Sequence, residues 1–160
     1  MSKFFFKLFL LFSANILFSF NNNNSLSSSN TYTISVSASG SSSYTLSGND
    51  RNGSVSGDDP DLTFNVGDVV TFSVNASGHP FYLKTVAGTG TGNQIDVSNN
   101  GTTSGDIVWT PSAKGTFFYQ CSLHSGMVGT ITIKDPQIWK GDNITFTKGD
   151  QSDPTLQANQ

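Results

Sequence analysis

The chain of 160 residues is long enough for a single domain with short flanking segments. Its formal net charge is −3 and its few lysines and arginines are scattered, which argues against nucleic acid as a partner. Glutamate is absent, and Gly, Ser, Thr and Asn are interleaved with β-branched and aromatic residues. This composition favours short strands joined by turns over helices.

The first twenty residues have the pattern of an export signal. Lys3 and Lys7 precede an apolar run at residues 8–20, which is too short to predict a transmembrane span. No clean small-x-small cleavage site follows, so residues 1–20 are either a signal peptide or a retained N-terminal anchor. We therefore expect an exported protein (periplasmic, secreted or cell-surface), with a membrane as partner only if the segment is retained.

The next part of the chain changes from linker to strand. Residues 21–30 are an Asn/Ser-rich linker with too few apolar side chains to fold. Residues 32–38 alternate with a period of two, which predicts the first strand. Residues 44–46 are a short strand or an irregular edge, and residues 51–61 are expected to form a Gly/Asp-rich loop.

Further strands are predicted at short intervals. Residues 62–66 and 69–74 flank a Gly-Asp turn, and the later candidates are 81–86, 95–97, 106–110, 116–121 and 128–134. Seven or eight such strands predict an all-β antiparallel sandwich or barrel over residues 31–134. We expect five aromatic side chains in its core: Phe64, Phe72, Phe81, Trp109 and Phe117.

The C-terminal residues 135–160 carry a weaker signal. Residues 144–146 are a candidate for one more strand, and the remainder is polar. The segment is either a tail or the start of a further module that the chain does not complete.

A group of potential metal ligands stands out. Cys121, His124 and Met127 lie within seven residues of one another, and a second imidazole, His79, lies upstream beside a turn. The chain has two histidines, one cysteine and two methionines, one of which is Met1, so the group uses all the remaining residues of these types. Thiolate and thioether are soft ligands and imidazole suits copper, whereas structural zinc rarely recruits methionine.

Strand geometry agrees with this grouping. Phe117, Tyr119 and Cys121 share one face of a strand, which directs the thiol inward at the strand end. The following turn can bring His124 and Met127 back over the sulfur. Two imidazoles and a thiolate in a plane, with a weak axial thioether, form the arrangement of a blue-copper site.

The motif also resembles a known family. Residues 115–124 (GTFFYQCSLH) resemble the G-x-Y-x-F-Y-C-x-P-H signature of plastocyanins and related cupredoxins, and residues 127–129 match their M-x-G step. The C-x-x-H-x-x-M spacing is similar to that of amicyanin, and His79 occupies the place of the family's first histidine.

The resemblance implies a fold and a function. The fold would be a Greek-key β-sandwich that holds one copper ion at one end through His79, Cys121, His124 and Met127. The protein would then be a one-electron carrier that cycles between Cu(II) and Cu(I), and not an enzyme. His124 would be the electron port, where a redox partner protein docks beside an apolar patch that includes Leu123.

Two departures from the family pattern concern the surroundings of the ligands. Pro80 follows His79 where most relatives have an asparagine that hydrogen-bonds to the cysteine loop, and proline has no donor. We expect Ser122 or Ser125 to supply that link instead. Leu123 replaces the usual proline. Both changes bear on the redox potential and the rigidity of the site more than on metal binding.

A second function stays open. The Asn/Ser-rich linker and the unfinished tail also suit a cell-surface or matrix binding module of cupredoxin fold, whose copper is structural, stored or absent. Enzyme motifs are not evident: no Ser-His-Asp order, P-loop or dinucleotide-binding GxGxxG occurs in the sequence.

Overall fold

A computed structural model describes residues 29–136 of the chain. The predictions for the N-terminal segment 1–20, for most of the linker and for residues 137–160, including the strand at 144–146, lie outside the described residues. Residues 29–136 contain no helix with the length and hydropathy of a membrane span.

The described residues form nine strands, one or two more than the sequence predicts. The strands are β1 (Thr31–Ser39), β2 (Ser43–Asp50), β3 (Gly53–Asp58), β4 (Leu62–Asn65), β5 (Val69–Asn75), β6 (Phe81–Lys84), β7 (Ser104–Trp109), β8 (Gly115–Cys121) and β9 (Val128–Lys134).

The strands are arranged in two sheets, which confirms the all-β sandwich. The first sheet has the order β3-β2-β1-β5-β7, and the second has the order β4-β9-β8-β6. The pairs β1–β5 and β4–β9 run parallel, so the sheets are mixed and not purely antiparallel. Turn signals in a sequence identify strands that follow one another, whereas these parallel partners are joined by long crossovers.

The extra strand β3 lies where the sequence predicts a loop. It is an edge strand that pairs only with β2, and Val55 is its only buried side chain. One apolar residue leaves no period-two pattern to detect.

The strand predicted at residues 95–97 does not form. Gln94 makes an isolated bridge with Lys84, and the backbone of β6 also bonds the side-chain amide of Asn100. Its Oδ1 accepts the Leu83 N–H at 2.8 Å, while its Nδ2 donates to the Leu83 carbonyl at 3.0 Å. The Leu83 carbonyl also accepts the Ile95 N–H at 2.8 Å, so the segment contacts β6 through isolated hydrogen bonds and no ladder continues through residues 95–97.

The space between the sheets is filled mainly by aromatic and β-branched side chains. Phe64, Phe72, Phe81 and Trp109 are buried as predicted, and Phe117 is partly buried against the indole ring of Trp109, with ring centroids 5.2 Å apart. The core therefore reaches the strand ends from which the ligand-bearing loops leave.

Candidate metal centre

The pairing of β6 with β8 brings the two parts of the site together. Phe81 lies directly opposite Cys121 in this antiparallel pair. His79 immediately precedes β6, and the loop that carries His124 and Met127 immediately follows β8. Residues distant in sequence therefore meet at one end of the sandwich.

A tight turn directs His79 towards that end. The backbone N–H of His79 donates to the Ala76 carbonyl at 2.9 Å. Gly78 has a φ of 80°, a conformation that a side chain at this position would disfavour.

The three predicted nitrogen and sulfur ligands converge. The Nδ1 atoms of His79 and His124 are 3.3 Å apart, and the Cys121 Sγ lies 3.5 Å from the His124 Nδ1. All three ligand atoms lie within 4.8 Å of one another, and no other group of three or more His, Cys or acidic side chains within residues 29–136 does so.

These spacings fit a single metal ion. A first-row ion such as zinc bonds imidazole nitrogen at about 2.0 Å and thiolate sulfur at about 2.3 Å, so one ion can join atoms that are 3.3–3.5 Å apart. Two imidazoles and a thiolate are donors that copper accepts readily. Cys121 is fully buried, whereas His79 and His124 are partly exposed, so the site is shielded on its sulfur side and open at its imidazoles.

Met127 returns to the site through its backbone. Its carbonyl accepts the Cys121 N–H at 3.0 Å, and its N–H donates to the His124 carbonyl at 3.3 Å. The residue is fully buried. The loop thus folds back beside the cysteine, while the axial role of the Met127 sulfur stays a prediction.

The Leu123 substitution changes the surroundings of the sulfur. The backbone N–H of Leu123 points at the Cys121 Sγ, with a separation of 3.5 Å. A proline at this position would lack the N–H, so the departure from the family motif adds a donor to the thiolate.

The link that replaces the missing asparagine comes from backbone. The Pro80 carbonyl accepts the Ser122 N–H at 3.3 Å, which joins the His79 turn to the cysteine loop. Ser122 therefore provides the link as predicted, but through its main chain instead of its hydroxyl.

Two buried polar side chains that the sequence analysis did not single out support the ligand loops. The Tyr44 hydroxyl donates to the carbonyls of His79 and Pro80, each at 3.0 Å. The Gln120 Nε2 donates to the carbonyls of His124 and Met127, each also at 3.0 Å. Each loop is thus held at two carbonyl groups by one side chain.

The environment of Tyr44 keeps its hydroxyl protonated. Burial, followed by a hydrogen bond with Cys121, raises the pKa of Tyr44 far above its usual value. A buried tyrosine normally finds a partner for its hydroxyl, but no sequence pattern identified Tyr44 as buried against the His79 turn.

A third support comes from a buried lysine. Lys84 is 1% exposed, and its Nζ donates to the carbonyls of Gly88 and Gly90. The Gly90 N–H in turn donates to the Ser122 carbonyl at 2.8 Å, so the loop at 87–93 lies against the cysteine loop. Burial lowers the pKa of Lys84.

Comparison with known proteins gives structural likenesses only. No family model matches the chain, and no curated protein matches it. Similar solved structures include the copper protein rusticyanin, with 20% identity, a TM-score of 0.49, and coverage of 67% of this chain and 80% of the other. A structure of rusticyanin from Thiobacillus ferrooxidans has 20% identity and a TM-score of 0.44, with 67% of this chain and 79% of that chain covered.

A novel purple cupredoxin from Nitrosopumilus maritimus is also similar. It has 21% identity and a TM-score of 0.39, with 64% of this chain and 98% of that chain covered. The function proposed below rests on the residues of this chain.

Proposed function

We propose that this chain is a type 1 copper protein that carries single electrons in an exported compartment. The observation that carries the proposal is that one ring nitrogen from each of His79 and His124 and the Cys121 Sγ all lie within 4.8 Å of one another. A copper ion held there would supply reversible one-electron chemistry between Cu(II) and Cu(I).

The proposed ligand set has four members. His79, Cys121 and His124 supply two nitrogens and a sulfur, and Met127 supplies a weak axial thioether. The thiol of Cys121 has to lose its proton to bind, so metal uptake releases a proton and weakens as the pH falls.

The supports of the two loops suit electron transfer. Tyr44, Gln120 and the Pro80–Ser122 link hold both ligand-bearing segments through backbone carbonyls. Ligands held this firmly change position little when the charge at the centre changes by one electron. The proposed role transforms no substrate, so the chain is not proposed to be an enzyme.

The exposed side of the site is the proposed route for electrons. His124 is partly exposed, and the neighbouring Leu123 is 62% exposed. A redox partner protein would dock here, with the His124 imidazole between the two centres. The apolar Leu123 side chain would be covered in that complex.

The proposed location outside the cytoplasm follows from the N-terminal pattern. Lys3, Lys7 and the apolar run at residues 8–20 favour export, with membrane attachment only if the segment is retained. No nucleic acid is proposed as a partner.

Copper titration of the full chain tests the proposal. Cu(II) should produce a strong thiolate-to-copper charge-transfer band that is absent in Cys121→Ser and retained in the control Ser122→Ala. A reversible one-electron wave should accompany it. A colourless protein, or one whose thiol Cu(II) simply oxidises, would contradict the copper site. A coloured protein without a reversible wave would favour the binding-module alternative.

A further inference from the structure

The His79 turn is held by a hydroxyl group from the other sheet. Tyr44 belongs to β2, whereas His79 and Pro80 lead into β6. The Tyr44 hydroxyl is 3.0 Å from both of their carbonyl oxygens. The Pro80 carbonyl has a second donor, the Ser122 N–H. The His79 carbonyl has only the Tyr44 hydroxyl as a hydrogen-bond donor within residues 29–136.

Further contacts besides the two carbonyls hold Tyr44 in place. The Tyr44 N–H donates to the Asp59 Oδ1 at 3.0 Å, and the Asp59 N–H donates to the Tyr44 carbonyl at 2.8 Å. The ring is fully buried and meets Phe81 edge to face, with centroids 5.0 Å apart. Because these three contacts restrain Tyr44, its hydroxyl can fix the position of the two carbonyls to which it donates.

His79 needs such a fixed point more than the other proposed ligands do. Cys121, His124 and Met127 share one short loop, whereas His79 comes from a separate turn. Pro80 cannot donate a hydrogen bond to that loop, because it has no N–H. A carbonyl that lost its only donor would move towards water, and the imidazole would move with it.

We propose that Tyr44 is a positioning residue for the metal centre, which holds the His79 imidazole beside Cys121 and His124 through its hydroxyl group. The inference rests on the proposed copper site, since it assigns the role of a support to one of its ligands. Groups that orient ligands in this way commonly change metal affinity by about 10-fold to 100-fold when they are removed.

The first test uses the metal-free full chain. Tyr44→Phe removes the hydroxyl and keeps the ring. Tyr119→Phe is the matched control, because Tyr119 is also fully buried but donates to the Pro60 carbonyl, at 2.8 Å, and to neither ligand loop. The His79 and His124 rings, with centroids 4.9 Å apart, should give a nuclear Overhauser contact in the wild type and in Tyr119→Phe. Loss of the contact in Tyr44→Phe alone supports the inference, and an unchanged contact overturns it.

The second test uses copper. Tyr44→Phe should weaken Cu(II) binding by about ten-fold relative to Tyr119→Phe. In a His79→Gly background supplied with free imidazole, the external ligand needs no turn to position it, so the effect of Tyr44→Phe should disappear. An effect that persists there would show that Tyr44 acts elsewhere and would overturn the inference.

The two tests separate the inference from the proposed function. A wild-type chain that binds no copper would contradict the function, while the ring contact in the metal-free protein would still decide the role of Tyr44.

Discussion

The Nδ1 atoms of His79 and His124 lie 3.3 Å apart although 45 positions separate the residues in the chain. The register of β6 on β8, with Phe81 opposite Cys121, produces this proximity. Side chains that hold the two loops in this register should therefore affect the fold and the metal centre together.

Gln120→Leu should destabilise the ligand loop. The substitution leaves the His124 and Met127 carbonyls without the donor that now lies 3.0 Å from each, which should lower the free energy of unfolding by about 2 kcal/mol. Urea unfolding of the metal-free chain measures this. The control Gln94→Leu changes an exposed glutamine and should have little effect. Equal stability of the two variants would contradict the role of Gln120.

Leu123→Pro should lower the reduction potential of the copper form. The change removes the N–H that now points at the Cys121 Sγ from 3.5 Å, and a thiolate that loses a donor favours Cu(II) over Cu(I). A shift of about 60 mV corresponds to a ten-fold change for one electron. Leu123→Ala keeps the N–H and serves as the control in the same voltammetric measurement. If Leu123→Ala lowered the reduction potential as much as Leu123→Pro does, the loss of the side chain and not of the N–H would explain the shift, and the prediction would be contradicted.

Gly129→Ala should disturb the last strand. Gly129 lies opposite Tyr119 in the β8–β9 pair, and a Cβ at Gly129 would fall within the Tyr119 ring. Overpacking of this kind costs about 2 kcal/mol, measurable by thermal or urea unfolding. Gly92→Ala, where a Cβ meets no atom within 4 Å, is the matched control. The contact also gives a physical reason for the glycine of the M-x-G step. A stable Gly129→Ala variant with an unmoved Tyr119 ring would contradict that explanation.

Asp68→Asn should remove a stabilisation that depends on pH. Asp68 is fully buried and pairs with Arg51, while also accepting the N–H groups of Asn30 and Asn65. Burial by itself would raise the pKa of Asp68, but the Arg51 and backbone hydrogen bonds outweigh it and hold the pKa below the usual 3.8.

The sign of the effect follows from that direction. The stabilisation is complete above pH 3.8 and is lost as the pH falls through the lower pKa of the folded state. At neutral pH, breaking this largely buried pair should cost about 3 kcal/mol, and the difference from wild type should shrink in acid. Asp135→Asn, in the exposed pair with Lys114, should change unfolding little at any pH. A difference that does not vary with pH would contradict the assignment.

The sequence predicted those strands that carry a regular pattern of buried side chains. In β5 and β9, alternate residues face the core, so the period of two identified both strands. The sequence did not identify β3, because Val55 is the one buried residue in it. The strand predicted at residues 95–97 did not form, because the segment meets β6 only through an isolated bridge and separate hydrogen bonds. In both cases the hydrogen bonding of the backbone, and not a pattern of buried side chains, decided the outcome.

The same limit applies to the supports of the site. Alternation along β8 puts Gln120 on the face opposite Tyr119 and Cys121, where a polar residue usually meets solvent. Gln120 is nevertheless only 2% exposed, and its amide binds the loop carbonyls. In the sequence, Tyr44 likewise has the pattern of an ordinary strand residue. Only the fold shows that its hydroxyl donates to the His79 carbonyl of the other sheet.

The sequence by itself determined the chemical types of the candidate ligands and the close spacing of Cys121, His124 and Met127, because these depend on residue identity and on a short loop. Only the tertiary structure decided that His79 reaches them, and that Tyr44 and Gln120 hold the loops. The contacts of His79 and Tyr44 join segments far apart in the chain and depend on strand register. The contacts of Gln120 are local, but they depend on how the loop folds back and on which buried carbonyls need a donor.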